Sequence, residues 1–244
     1  MKKIPKDKTK SHPPKNRVFR LIGRSIFILF IFTFFQVLFL RWIPPLASFM
    51  MIENFFHTLW TDKKAAPIHY KWTGWISISP YMPLAVIAAE DQKFPFHWGL
   101  DIKAISKAVE KNKKGKRLRG ASTITQQLAK NLFLWSGKTY FRKGLEVYYA
   151  MLIELLWPKE RILEVYLNIA MFGDGIYGVR MASSLLLNKS PSNLTRRDAA
   201  LLSSVLPNPK RFQVKKPSLY VLERVRWIER QMGRLGGVAY LKYI

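Results

Sequence analysis

A long apolar span near the start of the chain restricts how it can fold more than any other feature. From Ser25 to Leu40 the residues are almost all apolar, and only Thr33 and Gln36 interrupt them. Counted from Leu21, the span is about 20 residues, or roughly 30 Å as a helix, which matches the hydrocarbon core of a bilayer. We therefore expect one transmembrane helix at residues 21–42.

The charges on either side of this span predict its orientation. Residues 1–24 carry nine basic side chains against a single acid, Asp7, whereas residues 41–60 contain one Lys or Arg, Arg41. Basic residues are retained on the cytoplasmic side of a membrane helix. The sequence therefore predicts a cytoplasmic tail at residues 1–20, a single pass, and the remainder of the chain outside the cytoplasm.

A cleaved signal peptide is the alternative interpretation, with Leu46-Ala47-Ser48 as a weak processing site. The apolar core is too long for a typical signal peptide, and Pro44-Pro45 interrupts the approach to that site. An uncleaved anchor is favoured. The absence of cysteine agrees with an oxidising compartment, in which a free thiol would be a liability.

The charge of the chain predicts an anionic partner. The net charge is +26, and residues 1–24 contribute +8 of it, which leaves +18 for residues 25–244. Nucleic acid is the generic partner of such a domain, but the predicted topology places the domain on the other side of the membrane. Anionic headgroups or a pyrophosphate-bearing lipid fit better, so we expect a membrane partner and no nucleic acid.

Two regions follow the predicted anchor. Residues 43–82 are rich in Trp, Tyr, Phe and Pro and are expected to be a membrane-proximal lead-in. Residues 83–244 show apolar residues near a 3.6-residue period and no convincing alternation typical of strands. Helices are predicted at Pro83–Glu90, Leu100–Lys111, Thr123–Leu134, Phe141–Leu156, Pro158–Ala170, Gly178–Leu187, Arg197–Leu206 and Ser218–Met232.

Adjacent acids, Glu90 and Asp91, open the segment EDQKFPFHWG at residues 90–99. They follow the apolar stretch Leu84–Ala89, so the carboxylates are expected beside an apolar wall. Such an environment raises the pKa of a carboxylate and prepares it for general acid or base catalysis. Two acids at a helix end also occur as a solvated cap, and this segment alone does not separate the two interpretations.

The segment GASTITQQLAKN at residues 120–131 predicts a polar helix face. On a helix, Thr123, Gln127, Lys130 and Asn131 fall at i, i+4, i+7 and i+8, and Thr123 with Gln126 has the spacing of a capping box. Capping explains Thr123 but not a stripe that ends in Lys130. Hydroxyl, amide and ammonium groups in one stripe can bind sugar hydroxyls and phosphate.

The residues before and after this stripe add charge. Residues 111–120, KNKKGKRLRG, contain six basic side chains and are either a solvated loop or a mobile phosphate-attracting flap. In RKGLEVYYAMLIE (142–154), Arg142, Glu146 and Ala150 lie at i, i+4 and i+8. An Arg–Glu pair at that spacing is most often a surface salt bridge worth under about 1 kcal/mol, but the small Ala150 and its apolar neighbours favour a face turned inward.

With these motifs in place, the chain resembles the peptidoglycan glycosyltransferases that polymerise lipid II, glycosyltransferase family 51. Five family motifs occur in order between about residues 84 and 212, namely EDQKFPFHWG, GASTITQQLAKN, RKGLEVYYAMLIE, KERILEVYLN (159–168) and RDAALLSSVLPNP (197–209). The resemblance is to monofunctional, proteobacterial-type members. No serine has a lysine three positions on, so the S-x-x-K of an acyl-transferring penicillin-binding domain is absent.

The resemblance implies a mainly α, lysozyme-like fold in two lobes, with the smaller lobe dipping into the membrane. It implies an inner-membrane protein whose glycosyltransferase domain, residues 83–244, is periplasmic. The growing glycan chain would be moved from its undecaprenyl pyrophosphate onto the 4-hydroxyl of lipid II, with inversion. Other cell-wall or division proteins are expected as partners.

Site roles follow from the same resemblance and from the chemistry of inversion, which needs a base for the hydroxyl and charge stabilisation for the departing pyrophosphate. Glu90 is assigned as the base and Glu146 as the second acid, near the pyrophosphate. Asp91 is expected to raise the pKa of Glu90 and to organise the site. Phe94 would support the position of Glu90, and His97 is expected to be a core histidine satisfied by a backbone carbonyl. The substrate-binding residues would be Thr123, Gln127, Lys130, Asn131 and Arg142.

Several points stay open at the level of sequence. Mg²⁺ or Mn²⁺ is plausible beside a pyrophosphate leaving group, and no organic cofactor is expected. Arg180 and Leu185–Leu187 depart from the family pattern, which usually has an acid and an aromatic pair there, and they concern packing or substrate fit. A lysozyme-like glycan hydrolase and a basic membrane-tethered scaffold are the alternatives, although the hydrolase leaves Lys130, Arg142 and the anchor unexplained.

Overall fold

The computed structural model describes residues 15–60, 67–102, 106 and 122–244, and this part of the chain is mainly helical. Short 3-10 segments lie between several of the helices, and one ends the chain at Gly237–Tyr243. The predicted class, mainly α with a long apolar N-terminal helix, is confirmed. The α-helices are α1 Lys15–Leu40, α2 Phe49–Trp60, α3 Tyr81–Glu90, α4 Ile124–Phe133, α5 Tyr140–Leu156, α6 Lys159–Ile169, α7 Gly178–Leu187, α8 Arg196–Val205 and α9 Leu219–Arg234.

The periodicity of the sequence predicted α3 to α9 to within two residues at each end. Helix α2 lies in the lead-in, where no helix was predicted. The sequence analysis interpreted its aromatic and apolar residues only as a sign of a nearby membrane, although Glu53, Asn54 and His57 recur at helical spacing. Most of the helix predicted at Leu100–Lys111 lies outside the described residues. The basic segment 111–120 and residues 1–14 of the tail also lie outside them.

Helix α1 is long and apolar enough to cross a membrane. Its stretch Phe19–Leu40 has 22 residues and a mean hydropathy of 2.1, and most of its side chains are exposed. The second half of the helix nevertheless docks on the rest of the chain. The Trp157 indole donates to the Val37 carbonyl at 2.8 Å, and the hydroxyls of Thr33 and Tyr148 lie 2.6 Å apart. The anchor is thus packed against the folded domain rather than only tethered to it.

Helix α3 lies within the hydrophobic core. Every residue from Met82 to Ala88 is buried, as expected for a helix that is apolar on all sides. It packs against α8 and α9, while α4 packs against α5 and α6. The C-terminal end of α3 is therefore fixed in the interior, and Glu90 and Asp91 emerge there.

A small three-stranded sheet, which the sequence analysis did not predict, closes one side of the domain. Its order is β1 (His69–Tyr70), β3 (Ile176–Tyr177), β2 (Met171–Gly173), with β1 parallel and β2 antiparallel to β3. Its registers pair His69 with Ile176 and Met171 with Tyr177. Strands of two or three residues are too short to produce a detectable alternation.

Candidate active site

Glu90, the last residue of α3, has both carboxylate oxygens engaged by side chains of other helices. Gln127 of α4 donates to Oε2 through its Nε2 at 3.0 Å. Arg224 of α9 donates to Oε1 through its Nη2 at 2.9 Å. The Gln127 Oε1 accepts in turn from the hydroxyl of Tyr166, on α6, at 2.8 Å. Helices α4, α6 and α9 together fix the direction of this carboxylate.

Burial raises the pKa of Glu90 above its ordinary value. The hydrogen bond from Gln127 and the charge and hydrogen bond of Arg224 oppose that rise, whereas the charge of Asp91 adds to it as the smallest contribution. The sequence analysis expected both an apolar wall and the neighbouring Asp91 to raise the pKa of Glu90. Both act in that direction, and burial is the larger cause.

The Asp91 carboxylate is directed away from Glu90 into hydrogen bonds of its own. Its oxygens lie 2.9 and 3.0 Å from the Nε2 of His97, and Oδ2 accepts from the backbone N–H of Ile124 at 3.1 Å. Ile124 is the first residue of α4, where unpaired N–H groups and the helix dipole favour a carboxylate. Asp91 therefore ties the end of α3 to the start of α4.

His97 and Phe94 lie beneath this junction. The His97 imidazole pairs with the Asp91 carboxylate through Nε2, whereas a backbone carbonyl had been expected as its partner. Its Nδ1 is buried and has no hydrogen-bond partner within the described part of the chain. Phe94 is fully buried, and the Lys159 ammonium lies 4.5 Å from the centre of its ring. Lys159 also donates to the His97 carbonyl at 2.6 Å and pairs with Glu154 at 2.8 Å. Lys159 thus holds the loop that carries the first motif in place.

Thr123 caps helix α4 as its spacing predicted. Its hydroxyl accepts from the Gln126 N–H at 3.2 Å and the Gln126 side chain accepts from the Thr123 N–H at 3.1 Å, which completes the capping box. The same hydroxyl donates to the Gly99 carbonyl at 2.6 Å. Thr123 lines the cavity beside Glu90, but its hydroxyl is used in holding the first and second motifs together.

Glu146, on α5, occupies a different environment from Glu90. Arg142 donates to its Oε2 at 2.9 Å, and the Lys143 ammonium pairs with Oε1. Both Arg142 and Glu146 are buried. The interpretation of this pair as turned inward is confirmed, and the alternative of a surface salt bridge is wrong.

Lys130 of α4 completes a cluster that carries an excess of positive charge. Burial is the main cause that lowers the pKa of Lys130, the charge of Glu146 opposes it, and Arg142 and Lys143 add to the lowering. Among the described residues, three cations thus lie around the Glu146 carboxylate. In this same part of the chain, the Nε of Arg142 and the Oδ1 of Asn131 are buried without a hydrogen-bond partner. An anion bound here would relieve the repulsion between the cations.

Two cavities flank helix α4. One, of about 280 Å³, is lined by Glu90, Asp91, Thr123 and Trp227, together with neighbouring residues. The other, of about 380 Å³, has Lys130, Arg142 and Lys138 beside the apolar side chains of Met50, Leu134 and Trp135. The first cavity presents carboxylates, and the second presents cations next to an apolar wall.

The structure brings most of the predicted site residues together on α3, α4 and α5. The sequence analysis did not assign Tyr166, Lys143, Glu154, Lys159 or Arg224. The first four lie within the quoted motifs at 142–154 and 159–168, so the sequence analysis could have selected them as candidate site residues. Nothing in the sequence around Arg224 indicates a role in the site, because α9 has the pattern of an ordinary amphipathic helix. Only folding brings Arg224 to Glu90.

Among the described residues, no group of three His, Asp or Glu side chains is arranged to hold a metal ion. Both oxygens of Glu146 are already paired with cations. The residues present therefore do not form a protein metal site by themselves, and the expected Mg²⁺ or Mn²⁺ stays a prediction based on the leaving group alone.

Comparison with known proteins assigns the family. A family model described as Transglycosylase matches residues 60–233. A protein of Xanthomonas campestris pv. campestris named biosynthetic peptidoglycan transglycosylase is 44% identical over 238 residues, covering 97% of both chains. Proteins of the same name from Pseudomonas fluorescens and Xylella fastidiosa are 45% and 48% identical, covering 92% and 84% of this chain and 93% and 85% of their own.

Proposed function

The chain belongs to the transglycosylase family and is a peptidoglycan transglycosylase, and we propose that it polymerises lipid II into linear glycan strands. The observation that carries the proposal is the Glu90 carboxylate at the wall of a cavity, with a raised pKa and two fixed hydrogen bonds. A base whose pKa has moved toward neutral pH is well matched to proton abstraction from a sugar hydroxyl.

In the proposed reaction, Glu90 accepts the proton of the acceptor's 4-hydroxyl as that oxygen attacks C1 of the reducing-end sugar of the growing chain. A new C1–oxygen bond forms on the face opposite the departing group, so the configuration at C1 inverts. The bond between C1 and the phosphate oxygen breaks, and undecaprenyl pyrophosphate leaves with the bonding electrons. The proton stays on Glu90 until solvent removes it.

The cationic cluster would receive the pyrophosphate. Lys130 and Arg142 are the proposed phosphate ligands, and the Arg142–Glu146 bond at 2.9 Å holds the guanidinium in place. The Oδ1 of Asn131 has no hydrogen-bond partner among the described residues, and in this proposal it would accept a hydrogen bond from a sugar hydroxyl. Charge already fixed at the leaving group costs no reorganisation during the reaction. A divalent cation, if it is required, would bind chiefly through the pyrophosphate oxygens.

The other predicted residues would act through Glu90. Gln127 orients its carboxylate directly, and Asp91 with His97 and Phe94 fixes the loop that follows it. Thr123 joins that loop to α4. In these assignments the residues of the first two motifs hold one another in position, and only Glu90 takes part in proton transfer.

The proposed location follows from the substrate. One apolar helix suits a single-pass anchor. Lipid II presents its sugars on the outer face of the inner membrane, so we place the catalytic domain in the periplasm and the N-terminus in the cytoplasm. The apolar wall of the second cavity, formed by Met50, Leu134 and Trp135, would then lie toward the lipid chain.

The decisive experiment incubates the purified full-length protein with labelled lipid II in detergent or vesicles and separates the products by size. The proposal expects polymer that grows with time and is absent from Glu90→Gln. Isolated, lipid-free glycan strands are the second substrate. Shortening of those strands without polymer from lipid II would indicate a hydrolase and contradict the proposal.

A further inference from the structure

Arg224, on the last long helix, carries no role in the reaction described so far. We infer that Arg224 is the positioning residue that holds the Glu90 carboxylate in its reactive orientation and charge state. This inference rests on the proposed function for its catalytic meaning. The contact itself does not depend on that function, because the Arg224 Nη2 lies 2.9 Å from the Glu90 Oε1.

The two carboxylate oxygens of Glu90 accept hydrogen bonds from donors of different charge. Oε2 is held by Gln127, which Tyr166 fixes from behind, so this side is bound by neutral groups. Oε1 is held by a guanidinium, and a hydrogen bond from a charged donor is about twice as strong as one between neutral groups. Loss of Arg224 would therefore leave one oxygen without its strongest partner.

Among the described residues, Arg224 is the cation whose charge acts on the Glu90 carboxylate. Asp91 follows it on the chain, Arg224 approaches from α9 and Tyr166 from α6. Lys93 and Asp101 line the same cavity and pair with each other at 3.7 Å. Helix α8 also packs against α3, but its charged residues, Arg196, Arg197 and Asp198, all lie in its first turn.

The expected pH effect has a definite sign. Burial raises the pKa of Glu90, and Arg224 opposes that rise. Removing the guanidinium must therefore raise the pKa of Glu90 further. A general base works in its ionised form, so the acidic limb of the pH–rate profile should move toward higher pH. A merely structural role for Arg224 would lower the amount of folded enzyme without moving that limb.

The test compares Arg224→Met with Arg226→Met in the full-length protein. Arg226 is exposed on the same helix, so this control makes the same chemical change away from the cavity. Arg224→Met should reduce kcat roughly tenfold or more near neutral pH, as expected for loss of a charged hydrogen bond, and should shift the acidic limb upward. Arg226→Met should match the wild type in both respects.

Two further variants keep the test decisive. Arg224→Lys retains the charge, so its acidic limb should return toward that of the wild type even if its geometry is imperfect. In the background of Glu90→Gln, adding Arg224→Met should cost almost nothing more, because Arg224 acts only through Glu90. Equal, independent losses from the two substitutions would overturn the inference, as would an unshifted limb in folded Arg224→Met.

A readout without substrate separates this inference from the proposed function. The carboxyl band of Glu90 can be assigned by infrared difference between wild type and Glu90→Gln, and then titrated. Its midpoint should rise in Arg224→Met and stay unchanged in Arg226→Met, whatever reaction the enzyme catalyses. An unchanged midpoint in Arg224→Met would refute the role of Arg224, whereas absence of polymer from lipid II would refute only the proposed reaction.

Discussion

At the scale of single residues, Glu90 and Glu146 show that the surroundings of a carboxylate decide what chemistry it can perform. Glu90 is held by one amide and one guanidinium at the edge of a cavity, and burial raises its pKa. Glu146 is buried between Arg142 and Lys143. A carboxylate neutralised by two cations is a poor base but a good support for an anion site, because it keeps those cations in place.

Replacement of Glu90 by Gln tests the first of these roles. The substitution keeps size and hydrogen-bonding capacity while removing the basic oxygen, so polymerisation should fall by roughly 10²-fold or more, the usual range for a general base. The rate of lipid II consumption and the melting temperature should be measured on the same samples. Near-wild-type turnover by a folded variant would remove Glu90 from the mechanism.

Lys130→Ala and Arg142→Ala test the cationic cluster. Each should weaken use of the lipid substrate, because a charge-assisted contact to phosphate contributes on the order of 1.5–3 kcal/mol. The comparison is with Lys71→Ala, which removes an exposed cation. Steady-state rates at several lipid II concentrations give the measurement, and melting temperature gives the control. A large loss of stability with unchanged rates would make both residues structural.

At the scale of elements, the junction between α3 and α4 is the part of the fold on which the site depends. The end of α3 and the start of α4 are joined by Asp91 through the Ile124 N–H, and Thr123 adds a bond to the Gly99 carbonyl. Since Glu90 and Gln127 lie on these two helices, the junction sets the distance between the Glu90 carboxylate and the Gln127 amide. Gly178 shows a similar constraint elsewhere: at φ +78°, a Cβ would lie 2.5 Å from the Asn168 carbonyl oxygen.

Asp91→Asn should loosen this junction. The amide keeps the shape of the side chain but loses the charge that pairs with the helix N-terminus and with His97. The free energy of unfolding should therefore fall by about 1–3 kcal/mol. Activity should fall as well, because the loop after Glu90 is no longer fixed. Melting temperature is the measurement, with Glu223→Gln, an exposed acid on α9, as the control. Equal stability of the two variants would contradict the role given to Asp91.

At the scale of the whole molecule, the membrane helix and the folded domain form one structure. Trp157 and Arg41 join the end of α1 to the end of α5, and Arg161 donates to the Leu40 carbonyl at 2.9 Å. The domain therefore has a fixed position relative to the anchor. The proposed function requires that this position be on the outer side of the membrane.

A topology experiment tests that requirement. A reporter active only outside the cytoplasm, fused after Ile244, should be active, and one active only inside should be silent, because the basic residues precede the apolar span. The protein should fractionate with membranes at its full mass of 28.5 kDa. A cytoplasmic C-terminus would separate the domain from the sugars of lipid II and end the proposed function. Cleavage near Ser48 would remove the anchor but leave the domain outside.

The sequence by itself determined the features that depend on neighbours along the chain. The apolar span, the helical periods of α3 to α9, the Thr123–Gln126 capping box and the Arg142–Glu146 pair each involve residues within a few positions of one another. Helical hydrogen bonds and amphipathic patterns join residues that are close in the chain, so they can be recognised from the sequence alone. The motifs in turn identified the family before any geometry was known.

Only the tertiary structure decided which of these groups meet. It brought Arg224 to Glu90 across 134 positions of sequence, directed Asp91 to the start of α4, and docked α1 on α5. It also formed a sheet from strands too short to leave a pattern. The reason is physical: the partner of a buried charge is chosen by how helices pack and by what desolvation leaves unpaired, and neither is encoded in the local period of the chain.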